Sequence, residues 1–506
     1  MSAGFRISPA LWERIHYFAS FPQTGVSLQQ MVLFGQHPSQ GTLLKASQFL
    51  SEELPVRLAH RVKELDALPC NLSDMPSIRK VKNWYAQSFE ELISFPPLAL
   101  SPSARQSLNA HLNSSPSPSE TTAMGHSHDL FLPPSTPNPA LSHEQMDADD
   151  MGTWAFGGGE ANGPYGEGVP YRQAERVDGT PKGAAGSWKN GSGTAVRNGG
   201  IRLRAPIERR YYAHTPSHIY PPEVHDYNAR FTRALEAIKR RHDPTVATVA
   251  QGVLEWQRTR GIKSGSGVGI GEAGATNGGG VVQAWLDRFY MSRIGIRFLI
   301  GQHVALNTQQ PHKDYVGIIC TQANVHDIVQ EAIENARYVC EEHYALLRGP
   351  PVQLICPRNL TFAHVPGHLS HIVFELLKNS LRAVVERFGA DAEDRGVGYP
   401  PIKVIVVEGG EDITIKISDE GGGIPRRAVP LVWTYMYTTM GGQSIDPDYH
   451  AGDFQAPMAG FGYGLPLSRL YARYFGGDLR LISMDGFGTD VYIHLNKLSS
   501  SCEPLP

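Results

Sequence analysis

The chain has 506 residues, enough for three domains at about 150 residues each, and 41% of them are hydrophobic, so it can bury real cores. Lys and Arg number 46 against 49 Asp and Glu, a net charge of -3, which excludes the basic excess of a nucleic-acid-binding chain. No run approaches the roughly 18 apolar residues of a membrane helix. The scattered Cys70, Cys320, Cys340, Cys356 and Cys502, with no CxxC pair, favour neither a disulfide framework nor a thiolate zinc site and predict a reducing compartment.

Residues 1–97 carry helical spacing in Leu11-Ile15-Phe18, Leu43-Phe49-Leu50 and Val81-Trp84-Phe89. Residues 98–215 turn to Ser, Pro, Gly, Asn and Asp, a composition too poor in apolar surface to offset ordering entropy, and predict a disordered insertion. Helical spacing resumes over 216–310 in Ala234-Ile238, Val249-Val253-Trp256 and Gln283 to Leu306, broken by a Gly-rich loop at 263–280. The GxGxxG match Gly269 to Gly274 follows no strand and opens no helix, so it reads as linker. The two helical parts predict one four-helix-bundle-like domain with two insertions. Residues 316–497 read as α+β: Lys403 to Val407 and Ile413 to Ser418 form a hairpin, Gly488 to Leu495 alternates again, and 498–506 is a short tail.

Four constellations in the second half carry chemistry. On a helix between His368 and Arg387, His371, Glu375 and Asn379 fall four residues apart on one polar face. Glu375 can take a proton there and Asn379 offers a hard oxygen for Mg²⁺, although alone this is also the pattern of a solvated helix face. Asp419 to Pro425 follows a strand ending at Ser418, and its glycines Gly421 and Gly423 let a ligand approach while Asp419 accepts an adenine amino group. Gly460-Phe461-Gly462-Tyr463-Gly464 precedes a helix with Pro466 at its first position, so exposed amides and the dipole make a phosphate site. Gly488-Thr489 opens the last strand, where Thr489 supports the adenine edge through a water.

Taken together the four elements resemble the GHKL ATP-binding superfamily of gyrase, heat-shock, histidine-kinase and MutL domains. Glu375-Leu-Leu-Lys-Asn379 looks like its N box and the three Gly segments like its glycine boxes. The resemblance narrows to the mitochondrial 2-oxoacid dehydrogenase kinases through Phe461 to Tyr474, Leu286 to Arg293 and Glu53 to Ala59. It implies a helical regulatory domain followed by a Bergerat-type α/β sandwich using ATP and Mg²⁺. It implies a protein-serine kinase that inactivates the E1α subunit of a 2-oxoacid dehydrogenase complex, a homodimer that also binds the lipoyl domain of the E2 core, in the mitochondrial matrix. Glu375 is then the general base and His371 assists it. Asn379 holds Mg²⁺ and Lys378 lies near the phosphates. Arg382, Asp419, Thr438, Thr439, Gly460 to Leu465 and Thr489 surround the nucleotide. An effector pocket for 2-oxoacids falls on Tyr85, Ser88, Ile238, Lys239, His242, Ser292, Arg293, Ile296 and Arg297, with Lys239 where the family commonly has arginine.

Tyr435-Met-Tyr-Thr-Thr439 and the Tyr463 to Phe475 stretch are closer to the pyruvate branch than to the branched-chain one. That branch grips the lipoyl domain with a longer tail than Leu498 to Pro506, and Met1 to Trp12, with Arg6 its single basic residue, is a poor transit peptide. Other readings stay open at this point: a branched-chain kinase, a histidine kinase using His303 or His143, or a non-catalytic ATP-binding scaffold.

Overall fold

Serine caps and prolines set the helix starts in the first part of the chain. Ser8 precedes helix α1 (Pro9–Phe18), a capping box of Ser27 and Gln30 opens α2 (Leu28–Gly35), and Ser39 precedes α3 (Gln40–Asp66). Pro76 and Pro222 sit at the first turns of α4 (Pro76–Ile93) and α5 (Pro222–Arg241), followed by α6 (Thr245–Thr259) and α7 (Gly279–Thr308). The computed structural model describes residues 5–36, 38–99, 220–260, 279–310, 312–393, 395–437, 462–497 and 503–505, all in one unit. The predicted insertion from residue 100 onward and the Gly-rich loop up to 278 lie outside these residues, whereas Gly279 and Gly280 already belong to α7.

Apolar faces of the helices meet in one core. Leu54, Leu58 and Val62 of α3 pack with Phe89 of α4, Phe231 and Leu235 of α5, and Phe289 and Leu299 of α7. The same core takes in Tyr435, Tyr463, Leu470, Tyr474 and Phe475 from the second half of the chain. The helical bundle and the α+β region therefore share buried surface rather than meeting only at a linker. No helix among the described residues is long and apolar enough to cross a membrane.

The α+β region holds two sheets. A small antiparallel one has the order β1 (Tyr315–Val316), β2 (Ile319–Asn324), β4 (Thr361–His364). The main sheet has the order β3 (Val352–Ile355), β5 (Ile402–Glu408), β6 (Asp412–Asp419), β8 (Gly488–Asn496), β7 (Asp478–Met484), antiparallel except for β3 with β5. Helices α8 (Val325–Tyr344) and α9 (Pro366–Phe388), together with Ala472 of α10 (Gly464–Tyr474), pack on the inward residues Ile413, Ile415, Ile417, Val491 and Ile493. Asp419 is the next inward position after Ile417, so strand alternation carries its carboxylate under α9. The strand runs one residue past the predicted end, because Asp419 still pairs with Thr489.

A buried ion-pair network ties distant segments together. Arg57 of α3 bonds through Nε to Glu53 (2.8 Å), through Nη2 to the Thr24 carbonyl (2.6 Å), and through both terminal nitrogens to the Glu503 carboxylate. Glu503 also accepts from the Tyr474 hydroxyl of α10 and donates its N–H to the Val26 carbonyl. Gly295 of α7 leaves the room, since a Cβ there would lie 2.7 Å from the Glu503 carboxylate. Burial raises the Glu53 carboxyl above the usual range, against the pull of Arg57, and the two acids hold the Arg57 guanidinium far above its ordinary value despite burial.

Candidate active site

Helix α9 supplies one wall of a cavity of about 510 Å³ through Glu375, Lys378, Asn379, Arg382, Ala383 and Arg387, residues that recur at helical spacing on one face. The glycine-rich segment after β6, Tyr437 and the first turn of α10 close the other side. Its size suits a nucleotide. The face is not the solvated stripe of an ordinary amphipathic helix: Glu375 is 7% exposed and Lys378 2%, and Lys378 Nζ lies 2.9 Å from Glu375 Oε1. Asn379 is exposed to the cavity. His371, one turn before Glu375, is buried against the Tyr471 ring of α10, with centroids 5.1 Å apart.

Gly464 decides how α10 meets the carboxylate. A Cβ at 464 would sit 2.5 Å from Glu375 Oε2, so any larger residue would have to push the carboxylate from this position. The helix begins two residues before Pro466, and no side chain caps it. Pro466 has no N–H, which leaves the amides of Gly464 and Leu465 and the positive end of the dipole to face an anion.

Asp419 lies just behind the cavity wall. Its Oδ1 accepts the Gly421 N–H (2.9 Å) and its Oδ2 the Ser380 hydroxyl (2.9 Å). Burial pushes its carboxyl above the usual range, and the bonds from Gly421, Ser380 and Thr489 pull against that shift. Gly423 adopts φ +70°, and a Cβ there would overlap the Met484 carbonyl at 2.0 Å, so the segment folds flat on the turn between β7 and β8. Arg387 fixes that arrangement, donating to the carbonyls of Glu420 (2.8 Å), Phe487 (2.6 Å) and Gly486 (3.1 Å).

Some predicted residues stand elsewhere. The Thr489 hydroxyl is 3.0 Å from Ser483 Oγ within the β7–β8 pair rather than in the cavity lining. Tyr463 turns its buried ring into the helical core, 5.8 Å from the Tyr290 ring and 5.0 Å from that of Tyr435. Arg382 lines the cavity while its Nε bonds Glu386 (2.7 Å). Thr438, Thr439, Gly460 and Phe461 lie outside the described residues. Ser380 and Arg387 were missed. Arg387 is eight residues after Asn379 and was legible as a further turn of the same face, whereas Ser380, at the next position, lies off that face and is chosen by its bond to Asp419.

The second group of predicted residues also comes together. Tyr85 stacks on His242 (centroids 4.3 Å, interplanar angle 10°), and Ser88 Oγ is 3.0 Å from His242 Nε2. Ile238, Ser292, Arg293 and Ile296 are buried, and Arg297 Nη1 donates to Asp243 Oδ1 (2.7 Å). Burial pushes His242 down to about 3, helped by Arg241, Arg293 and Arg297, so this imidazole is neutral at physiological pH. Lys239 stays half-buried, and Arg241 is the member of that basic run which turns inward, bonding Ser88 Oγ (2.8 Å) and Glu91 (2.7 Å). Arg61, also missed, is buried beside Glu64; burial pushes the Tyr85 hydroxyl above its usual value, and Arg293 and Arg61 pull against that shift.

Sequence comparisons agree with this layout. The family model for mitochondrial branched-chain alpha-ketoacid dehydrogenase kinase matches residues 25–320, and that for histidine kinase-, DNA gyrase B- and HSP90-like ATPases matches 364–499. A mitochondrial [pyruvate dehydrogenase (acetyl-transferring)] kinase of Schizosaccharomyces pombe is 40% identical over 501 residues, covering 99% of both chains. The chain belongs to the mitochondrial 2-oxoacid dehydrogenase kinase family. The corresponding kinase of Arabidopsis thaliana is 34% identical, covering 98% of this chain and 97% of the relative. Isozyme 3 of Homo sapiens is 32% identical, covering 98% and 88%. The family member described here is an ATP-using protein kinase with a GHKL domain. His303, 2% exposed and pushed down to about 4 by burial, cannot present itself as a phosphoacceptor; His143 lies outside the described residues.

Proposed function

We propose that this chain transfers the γ-phosphate of ATP to serine on the E1α subunit of the mitochondrial pyruvate dehydrogenase complex and so inactivates it. The observation that carries this reading is the Glu375 carboxylate, held by Lys378 and pressed against Gly464 where the α10 amides face the cavity. Glu375 takes the serine proton as the hydroxyl oxygen attacks the γ-phosphorus, the new O–P bond forms, and the bond to the β-phosphate oxygen breaks to release ADP. Lys378, Arg382 and the amides of Gly464 and Leu465 balance the charge on the phosphates. His371, one turn before Glu375 and packed on the Tyr471 ring, positions the base. Asp419 takes the adenine amino group on its remaining lone pairs.

Mg²⁺ fits the donor set. No group of three His, Cys, Asp or Glu side chains forms a metal site among the described residues, and Mg²⁺ in such enzymes rests on one or two protein oxygens plus phosphates and water. Asn379 would supply that protein oxygen, and Mg²⁺, when bound, would neutralise charge on the phosphates. The lipoyl domain of E2 is a second partner and the matrix the compartment. The sheet face away from α8 and α9, with exposed Val407, Ile482 and Met484, supports a homodimer.

The test incubates the full chain with ATP and either pyruvate or branched-chain E1 and follows phosphoserine. Labelling of pyruvate E1 is expected, and labelling of branched-chain E1 alone would overturn the assignment. The buried cations around Tyr85 and His242 support inhibition by a small carboxylate such as pyruvate. Arg293→Ala is expected to remove that inhibition while basal phosphotransfer stays measurable, and unchanged inhibition would rule this cluster out.

A further inference from the structure

A second cavity, about 500 Å³, opens beside the first and shares Pro466 with it. Its charged lining is mostly cationic: Arg288 on α7, and Arg469 and Arg473 one turn apart on α10, with Trp433 between the helices. Both α10 arginines spend Nε on Asp478 (3.3 and 2.9 Å), and their Nη nitrogens make no hydrogen bond to a described residue. The Arg469 guanidinium lies 4.6 Å over the Trp433 ring, which holds its fork in place. Arg288 is exposed and forms no ion pair with a described residue. Asp287, the acid in the lining, is turned to the Tyr435 hydroxyl (2.9 Å). Two acids that are already engaged thus leave planar two-donor forks pointing into an open cleft next to the phosphoryl-transfer site.

We propose that this cleft binds acidic side chains of the protein substrate flanking the acceptor serine. The proposal rests on the phosphotransfer reading above and adds its specificity. Arginine forks match carboxylates through two parallel bonds, which gives orientation as well as charge. Arg469 and Arg473 stand three and seven residues beyond Pro466, so at about 1.5 Å rise per residue they lie about 4.5 and 10 Å further along α10. An extended peptide covers about 3.3 Å per residue, which places the recognised acids about one to three residues from the serine.

The experiment compares wild type, Arg288→Ala and Arg288→Glu on E1 and on E1 whose acids within three residues of the serine are changed to lysine. For unaltered E1 the KM is expected to rise severalfold in Arg288→Ala and about tenfold or more in Arg288→Glu, with the KM for ATP unchanged. The lysine-bearing substrate is expected to be poor for wild type and partly restored by Arg288→Glu, and the wild-type KM for E1 should rise with salt. Unchanged KM for E1 in Arg288→Glu, or no difference between the two substrates, would overturn the cleft assignment while leaving the kinase reading in place. If wild type labels no E1 at all, the kinase reading falls and the cleft assignment with it.

Discussion

Glu375→Gln is expected to lower phosphotransfer by a factor of about 10² to 10⁴, the usual contribution of a positioned base. ATP binding is expected to survive. Glutamine keeps the shape that fits against Gly464 and keeps an oxygen for Lys378, which lies 2.9 Å away, so the cavity wall keeps its form while the proton acceptor and the countercharge of Lys378 are lost. The loss should appear in kcat with little change in the KM for ATP, because proton transfer is made only in the transition state. Full activity in Glu375→Gln would show that another group takes the serine proton. Asp419→Ala supplies the contrast. It removes the acceptor of both the Ser380 hydroxyl and the Gly421 N–H, so it should raise the Kd for ATP measured by calorimetry.

Arg57→Leu is expected to destabilise the protein by about 3–5 kcal/mol, the cost of breaking a buried ion pair from one side. Arg57 is 1% exposed, and its removal strands Glu53 and Glu503 in the interior without a countercharge. The effect has a sign in pH. Burial already raises Glu53 in the presence of Arg57, and without the arginine the folded-state value rises further. An acid whose folded value lies above its unfolded one penalises the fold above that value, and the penalty is relieved as pH falls toward the unfolded value near 4.3. Urea titrations of wild type and variant should therefore differ more at pH 8 than at pH 5. An equal difference at both would mean that the cost is packing and not charge.

The parts of the fold that were legible in the sequence are those where one period runs uninterrupted. Helix α9 shows it in Leu369, Ile372, Val373, Leu376 and Leu377, and strands β5, β6 and β8 alternate cleanly because one face is buried. Strand β7 was not read. It lies at the sheet edge, and its exposed Ile482 and Met484 break the inward alternation of Leu479 and Leu481. On α9, His371, Glu375 and Asn379 followed from spacing and Asp419 from its place at a strand end, whereas Lys378 and Arg382 came from the resemblance alone. The placement of Tyr463 followed from neither: a tyrosine between glycines at a helix start carries no sign that its ring belongs to another core, and its partners Tyr290 and Tyr435 are supplied by tertiary packing. Arg241 was hidden for a similar reason. In the run Lys239-Arg240-Arg241 helical phase alone does not choose the cation that turns inward, and the choice is made by Ser88 and Glu91 on α4.

Helix α7 carries Arg293 one turn and Arg297 two turns after Tyr290, which touches Tyr463, the residue before Gly464. The proposed effector cluster around Arg293 and the cavity beside Glu375 are thus joined through one helix, and any coupling along it obeys thermodynamic linkage. If an anion held by Arg293 changes the affinity for ATP or ADP by some factor, each nucleotide must change the affinity for the anion by that same factor. The anion's dissociation constant, measured with and without each nucleotide, then reads the coupling from the far end. An effector favoured by bound ADP would report the ratio of spent to fresh nucleotide at a site that touches neither.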